Sequence, residues 1–340
     1  MEQATKKLKE LIESSNRILI TSHISPDPDA VSSVLLAGST FKKNYPNKQI
    51  SMVLEEKPTG LDFLAGYDQI IFEPVHDQLQ TLKPELFLLL DANAYSRASR
   101  NYGVKIQEYI KKNGVKSVFI DHHELDGKDD SDIFINQRSP AVAQDVYEVL
   151  FGYLKLSKPE GFAQTTMTGL YADTGGFAYT NPRHSDTFKL ADELIENGAD
   201  IETIRNYLFQ YSDDDLLVLK ELLQNVRHGA DYTFSSLSDD FVNEWLNASK
   251  SAAALPKATE LFVNDFLRNI NGRKWGFIVY KNVLQGENIY SASFRSVAGV
   301  KDVADIARKL GGGGHKPAAG AKFEAENLQA AINKVEQAIS

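Results

Sequence analysis

The sequence predicts an α/β fold with an N-terminal parallel sheet, helices on both of its faces, a helical connector and a smaller C-terminal α+β domain. The length of 340 residues favours two domains or one large one. The first half alternates short, continuously apolar runs with helical patterns, which is typical of a parallel sheet covered on both faces. The last third contains mainly β-like runs with two helical patterns, which indicates a separate α+β domain.

The elements of the first half follow from apolar runs that end at polar residues and from longer patterns with helical periodicity. The predicted strands are 17–22, 49–54, 69–72, 86–91 and 117–121. Helices are predicted at 30–44, 98–113, 143–156, 162–172 and 187–197. This alternation places helices between successive strands, as a parallel sheet requires.

A charged helical segment follows, from about residue 200 to 227, and we interpret it as a connector. Within it, Ser212 precedes three aspartates, which predicts an N-cap with an acidic first turn rather than a metal site. Antiparallel strands are predicted at 231–237, 275–281 and 288–295, a further strand at 319–323, and helices at 303–310 and 328–339. The predicted domains are therefore 1–198, 199–228 and 229–340.

Composition excludes several classes of function. The chain has no cysteine, which excludes disulfides, zinc–thiolate sites and cysteine catalysis. It shows no signal-like or membrane-spanning apolar run, so we expect a cytoplasmic protein that does not bind a membrane. The net charge of −9 argues against long duplex nucleic acid as a partner. A short anionic substrate held by metal ions and a few arginines remains compatible with this charge.

Acidic and histidine side chains follow four of the predicted strands and helices. They are His23, Asp27, Asp29, Asp91, Asp121, His122, His123 and Asp173. Each alone has an ordinary explanation as a cap or a strand-end turn. Because the carboxyl ends of parallel strands meet at one edge of a sheet, the four sets together predict a site for two metal ions. Mixed imidazole and carboxylate ligands suit Mn²⁺ and also accept Mg²⁺, Fe²⁺ or Co²⁺.

The ordered motifs resemble those of the DHH phosphoesterases. The chain has His-x-x-x-Asp-x-Asp at 23–29, Asp91, Asp-His-His at 121–123 and Asp-x-Gly-Gly at 173–176. Its segments 293–296 (Ser-Phe-Arg-Ser) and 311–315 (four glycines and a histidine) resemble the DHH-associated C-terminal domain. The length and this second domain are similar to the NrnA-type group of nanoRNases and pAp phosphatases, rather than to RecJ-type exonucleases or family II pyrophosphatases.

The resemblance implies a role for each motif residue. The six implied metal ligands are His23 and Asp27 for the first ion, Asp29, His122 and Asp173 for the second, and Asp91 as a bridge. His123 is implied to contact the scissile phosphate, with Asp121 supporting the histidines. The implied substrate contacts are Arg97 in the first domain and Arg295, Gly313, Gly314 and His315 in the second.

The glycine run at 311–314 has two interpretations. The pattern at 303–310 is a good helix, so Gly311 is expected to provide its left-handed C-cap, and the following glycines can turn backbone amides towards an anion. A flexible linker is the alternative.

By resemblance, the protein is expected to be a two-metal phosphodiesterase or phosphatase. Its substrates would be short oligoribonucleotides, linear dinucleotides such as pApA, or 3′-phosphoadenosine 5′-phosphate (pAp). The alternatives are an exopolyphosphatase-like hydrolase and a catalytically silent nucleotide sensor or RNA-binding protein. Relatives suggest a homodimer, while the sequence itself leaves the oligomeric state open. The segment 138–144 departs from the family pattern, which is usually richer in Ser, Thr and Glu there.

Overall fold

The computed structural model describes residues 1–123, 130–179, 183–208, 210–248, 254–267, 269–283, 286 and 288–340. The chain forms two compact units, Met1–Gln210 and Tyr211–Ser340. The division falls inside the segment interpreted as a connector. Within the described ranges, no helix is long and apolar enough to cross a membrane.

The first unit is an α/β domain built on six strands. These are β1 (Arg17–Thr21), β2 (Gln49–Leu54), β3 (Ile70–Phe72), β4 (Leu86–Leu90), β5 (Lys116–Ile120) and β6 (Ile133–Ile135). Its helices are α1 (Glu2–Ser14), α2 (Pro28–Asn44), α3 (Val75–Leu82), α4 (Gly103–Asn113), α5 (Val142–Tyr147), α6 (Phe162–Asp173), α7 (His184–Glu196) and α8 (Ile201–Leu208). Short 3-10 turns lie at Tyr67–Gln69 and Tyr95–Arg97, and a π-helical turn at Glu148–Tyr153 continues α5. The predicted α/β class is confirmed.

All six strands run parallel in the order β3-β2-β1-β4-β5-β6. The chain leaves β1 in one direction towards β2 and β3, and later returns to add β4 on the other side of β1. The strand order therefore reverses between β1 and β4. In open α/β sheets, a crevice opens at the carboxyl edge at such a point, and ligands bind there.

The sheet is buried on both faces because its strands are mainly apolar, and β4 is apolar at every position. In β4, Leu86, Leu88 and Leu90 join a cluster with residues of α2, α5 and α6. Phe87 and Leu89 point to the opposite face and join a cluster with residues of α3 and α4. This alternation explains why the strands appear in the sequence as continuous apolar runs.

The second unit is a mixed sheet with helices. Its strands are β7 (Arg227–His228), β8 (Thr233–Ser236), β9 (Trp275–Lys281), β10 (Ile289–Ser296), β11 (Gly313–His315) and β12 (Ala318–Glu324), in the order β11-β12-β10-β9-β8-β7. Its helices are α9 (Asp213–Gln224), α10 (Asp239–Asn247), α11 (Ala254–Phe262), α12 (Val303–Lys309) and α13 (Leu328–Ile339), with a π-helical turn at Val263–Leu267. Ser212 caps α9 as predicted, in a reciprocal capping box with Asp215.

One predicted pairing in this unit is wrong. Strands β8 and β9 run parallel, not antiparallel. The chain between them contains α10 and α11, and a helical crossover of this length returns a strand in the same direction. The amphipathic patterns of these two helices were not recognised in the sequence.

The glycine run is part of the fold and not a flexible linker. Gly311 adopts a left-handed conformation (φ 80°) directly after the C-cap of α12, as predicted. Gly313 then begins β11, which pairs with β12. A side chain at Gly312 would meet the backbone oxygen of Gly320 at 2.2 Å, so only glycine fits there.

Close packing of α2 against α6 suggests a first test of the fold. A Cβ atom at Gly169 would lie 2.6 Å from Oδ1 of Asp29 and 2.8 Å from Cβ of Ala143. We expect Gly169→Ala to lower the free energy of unfolding by about 1–3 kcal/mol, because overpacking forces helices apart. Gly152→Ala, where nothing lies within 4 Å, should be neutral or slightly stabilising. Urea denaturation measures both, and equal stabilities would contradict the packing argument.

Candidate active site

His23 lies just beyond the carboxyl end of β1. The preceding Ser22 donates a hydrogen bond from its hydroxyl to the carbonyl of Leu90 (2.6 Å), which joins the ends of β1 and β4. Nε2 of His23 is 3.4 Å from Oδ2 of Asp91 and 3.9 Å from Oδ2 of Asp27. The imidazole is thus placed between two carboxylates from different parts of the chain.

Asp27 combines two functions on its two oxygens. Oδ1 accepts hydrogen bonds from the backbone N–H groups of Asp29 and Ala30, both at 3.0 Å, and so caps α2. The other oxygen faces His23. The capping and metal-ligand interpretations of this residue are therefore compatible.

Asp29 is completely buried at the start of α2. Its oxygens accept hydrogen bonds from the N–H groups of Val142 (2.5 Å) and Ala143 (2.9 Å), the first two residues of α5. Burial, followed by the charge of Asp173, raises the pKa of Asp29 well above its usual range. A nearby cation would offset this penalty.

Asp91 follows β4 and occupies the centre of the site. Its backbone is left-handed (φ 58°), an uncommon conformation for a residue with a side chain. Burial would raise the pKa of Asp91, but contact with His23 and the charges of the surrounding histidines, His122 first, outweigh it and hold the pKa below its usual value. Backbone strain of this kind is frequent at functional sites.

The Asp121-His122-His123 segment follows β5 and orients two imidazole rings differently. Oδ1 of Asp121 accepts hydrogen bonds from the N–H of His122 and from Nδ1 of His123, both at 2.8 Å. Nδ1 of His122 is instead 3.0 Å from the carbonyl oxygen of Ser139, so it must carry the proton. Nε2 of His122 lies 3.7 Å from both Asp91 and Asp173.

The eight predicted side chains of the first unit come together as overlapping groups of metal-ligand atoms. Within each group these atoms lie within 4.8 Å of one another. The groups are His23, Asp27 and Asp91; Asp29, His122 and Asp173; and Asp91, Asp121, His122 and His123. Oδ1 of Asp91 is buried and accepts no hydrogen bond from the residues that the structure describes. An orphaned carboxylate oxygen among imidazoles and further carboxylates fits the coordination chemistry of divalent cations.

The predicted substrate contacts fall in two places. Arg97 lies at the end of the 3-10 turn after β4, and its charge acts on His123, where it opposes the rise in pKa caused by the hydrogen bond to Asp121. In the second unit, Arg295 and His315 both pair in register with Ala318 of β12, so they occupy one row across three strands. Gly314 pairs with Ala319 in the adjacent row, and Gly313 pairs with Gly320 in the row beyond it.

The first unit matches the model of the DHH family, N-terminal domain, over residues 17–172. The second matches the DHHA1 domain over residues 244–340. The chain is a DHH-family phosphoesterase. Enzymes of this family depend on metal ions, in agreement with the ligand groups at the sheet edge.

Relatives of this DHH phosphoesterase align with nearly its whole length. It is 26% identical over 316 residues to the bifunctional oligoribonuclease and PAP phosphatase NrnA of Bacillus subtilis, covering 90% of this chain and 89% of that protein. The protein of the same name from Thermus thermophilus is 26% identical over 325 residues, covering 95% and 89%. An exopolyphosphatase-related protein from Bacteroides fragilis superposes with a TM-score of 0.82 at 23% identity, covering 100% of this chain and 96% of that one, which shows a shared fold.

Sequence reasoning missed several residues beside the DHH motif. Asn136 donates a hydrogen bond from its side chain to the carbonyl of His123 (2.8 Å), and Ser139 contacts His122. Arg183 in turn donates to the Ser139 hydroxyl. The strand before Asn136, β6, has only three residues, so its apolar signal was too short to recognise. Had it been recognised, Asn136 would have been predicted at the same sheet edge.

Asp145 offers a test of the electrostatics near this site. It is fully buried, with Oδ1 3.8 Å from Nη1 of Arg183. Burial raises the pKa of Asp145 to about 7, although the Ser139 hydroxyl and Arg183 oppose this rise. The folded state therefore keeps a proton that the unfolded state releases above about pH 4, so this group lowers stability as the pH rises to about 7.

We expect Asp145→Asn to remove this loss. The quantity to compare is the free energy of unfolding of the variant minus that of wild type. This difference should be larger at about pH 8 than at about pH 5, by on the order of 2 kcal/mol. Urea denaturation at the two pH values measures the difference, and other titrating groups cancel in the comparison. A difference between variant and wild type that is independent of pH would contradict the assigned shift.

Proposed function

We propose that this enzyme hydrolyses phosphate esters of short nucleotides, including linear dinucleotides such as pApA, short oligoribonucleotides and pAp. The observation that carries the proposal is the convergence of six potential ligands, with Asp91 at their centre, at the switch point of the sheet. The relatives named as oligoribonucleases and PAP phosphatases support this class of substrate. The net charge of −9 favours short substrates over long duplexes.

The ligand groups suit two divalent ions, and we propose Mn²⁺. One ion would be held by His23, Asp27 and Asp91, and the other by Asp29, His122 and Asp173, with Asp91 between them. Hard carboxylate oxygens with an imidazole at each position match the preference of Mn²⁺ and admit Mg²⁺ or Co²⁺. When bound, such a pair of ions would neutralise phosphoryl charge and lower the pKa of a water molecule, so that hydroxide is available near neutral pH.

The protein's own side chains orient the phosphate. Because Asp121 engages Nδ1 of His123, the other ring nitrogen is the one that can meet the substrate. We assign it to the scissile phosphate and the departing oxygen. Arg97, whose charge already acts on His123, is assigned to a neighbouring phosphoryl oxygen. Both groups stabilise negative charge where it develops during the reaction.

We also propose that the second unit binds phosphate. Arg295 is fixed by hydrogen bonds from Nε to Asn264 (2.9 Å) and from Nη1 to the carbonyl of Phe294 (3.0 Å). His315 lies two strands away in the same row. A cavity of about 620 Å³ on this sheet is lined by Gly311, Gly312, Gly313 and Lys322, and not by Arg295 or His315. Cationic and hydrogen-bonding groups around exposed glycine backbone can bind a phosphate without obstruction by side chains.

The role of Asp91 gives the most direct test. We expect Asp91→Asn to abolish hydrolysis of pApA while leaving the fold intact, because asparagine tolerates the left-handed backbone but carries no charge for the metal ions. Turnover with Mn²⁺ and thermal melting measure the two properties. Asp77→Asn, an exposed carboxylate on α3, is the matched control and should keep full activity.

Full activity of Asp91→Asn with Mn²⁺ present would contradict the assignment. The same assay with short RNA, pAp and polyphosphate separates the alternatives. Hydrolysis of polyphosphate alone would favour an exopolyphosphatase, and tight nucleotide binding without any turnover would favour a sensor.

The proposed phosphate grip of the second unit predicts a different kinetic effect. Arg295→Gln should raise KM for pApA by roughly 10-fold with little change in kcat, because Arg295 binds substrate and transition state equally. Arg308→Gln on α12, an exposed arginine 3.4 Å from Asp305, is the control and should leave KM unchanged. A fall in kcat at constant KM would place Arg295 in the chemistry instead.

A further inference from the structure

We propose that Arg183 is a positioning residue for the second metal site, acting through Ser139 on the metal ligand His122. The inference rests on the proposed assignment of His122 and Asp29 to one ion. Arg183 precedes α7 and lies outside the ligand groups, and neither sequence motifs nor family resemblance assigned it a role.

Ser139 connects the arginine to the histidine with its two polar groups. Its carbonyl oxygen faces Nδ1 of His122 at 3.0 Å, and its hydroxyl accepts a hydrogen bond from Nη1 of Arg183 at 2.5 Å. Ser139 is buried, with 4% of its surface exposed, so water does not compete strongly for either contact. The peptide is thus held between an imidazole and a guanidinium group.

Arg183 is itself anchored on α5. Nη2 donates to Oε1 of Glu148 at 2.7 Å, and the same oxygen accepts a hydrogen bond from Nε2 of Gln144 at 3.0 Å. The side-chain oxygen Oε1 of Gln144 then accepts a hydrogen bond from the hydroxyl of Thr187 on α7 (3.0 Å). Charge-assisted hydrogen bonds that share partners in a partly buried network are stronger and more rigid than isolated ones.

Arg183 therefore holds α5 at both ends, because it contacts Ser139 before the helix and Glu148 after it. The N-terminus of α5 also donates to both oxygens of Asp29, through the N–H groups of Val142 and Ala143. Two ligands proposed for the same ion, His122 and Asp29, thus depend on one braced segment.

The contact with Ser139 also selects the tautomer of His122. A carbonyl oxygen can only accept, so Nδ1 must carry a proton, and Nε2, which faces Asp91 and Asp173, is the nitrogen that can bind a metal ion. Partners of this kind orient a ligating imidazole and raise its affinity for metal. His23, by contrast, contacts Asp27 and Asp91, and no described contact joins it directly to Ser139 or Arg183.

The experiment titrates the metal-free full chain with Mn²⁺ by isothermal calorimetry. Arg183→Ala and Ser139→Ala should each weaken one of the two binding steps by roughly 10-fold or more and leave the other step unchanged. In the double variant the losses should be much less than additive, because both substitutions interrupt the same path. Arg17→Ala, which removes an arginine paired with Glu85 at the amino edge of the same sheet, is the matched control and should bind both ions normally.

A second readout needs no metal. Long-range ¹H–¹⁵N spectra report the imidazole tautomer, with the His122 signals identified by their loss in His122→Ala. Wild type should show the Nδ1–H form, and Arg183→Ala and Ser139→Ala should show a mixture. Arg183→Lys, which can still reach one of the two partners, should give an intermediate result.

Two results would overturn the inference. One is wild-type Mn²⁺ binding and an unchanged tautomer in Arg183→Ala and Ser139→Ala, even if thermal stability falls, because Arg183 would then act only in the packing of α5 and α7. The other is equal weakening of both binding steps. Failure of wild type to bind Mn²⁺ would instead refute the proposed function. The tautomer measurement would still test whether Arg183 positions His122.

Discussion

The interaction that most constrains this fold is the mutual repulsion of carboxylates that are buried at one edge of the parallel sheet. Asp29 and Asp91 are both deeply buried, and Asp27 and Asp173 lie beside them. The sheet delivers them there because β1 and β4 are neighbours whose ends are joined by a hydrogen bond from Ser22. Without positive charge, such a cluster opposes folding, since burial and like charges both disfavour ionised groups. Imidazoles and helix N-termini supply part of this positive charge, and the groups could hold a metal ion that supplies the rest.

The carboxylates of this cluster differ in how far neighbouring groups offset their negative charge. Backbone N–H groups at the starts of α2 and α5 neutralise parts of Asp27 and Asp29 permanently, whereas Asp91 retains a buried oxygen without a hydrogen bond among the described residues. These fixed donors hold the carboxylates of Asp27 and Asp29 in place in the absence of any cation, whereas the buried oxygen of Asp91 stays available. Any ion that binds this native arrangement also stabilises the fold by mass action.

The sequence was sufficient to predict the architecture of the first unit and the eight side chains that meet at its sheet edge, because apolar strands of a parallel sheet have a strong signal and their carboxyl ends must meet. It was not sufficient where the signal was short or non-local. Strand β6 has three residues, and the helix predicted at 98–113 begins only at Gly103 because a 3-10 turn precedes it. The contacts of Ser139 and Arg183 join segments 44 residues apart, and no local pattern encodes such a pairing.

The left-handed backbone at Asp91 limits which residues can occupy this position. Conformational energy alone would admit glycine, asparagine or aspartate with little penalty, and would disfavour glutamate and every branched side chain. Coordination alone would admit aspartate or glutamate. The two sets share a single member, so under the proposed coordination aspartate alone meets both requirements at this position.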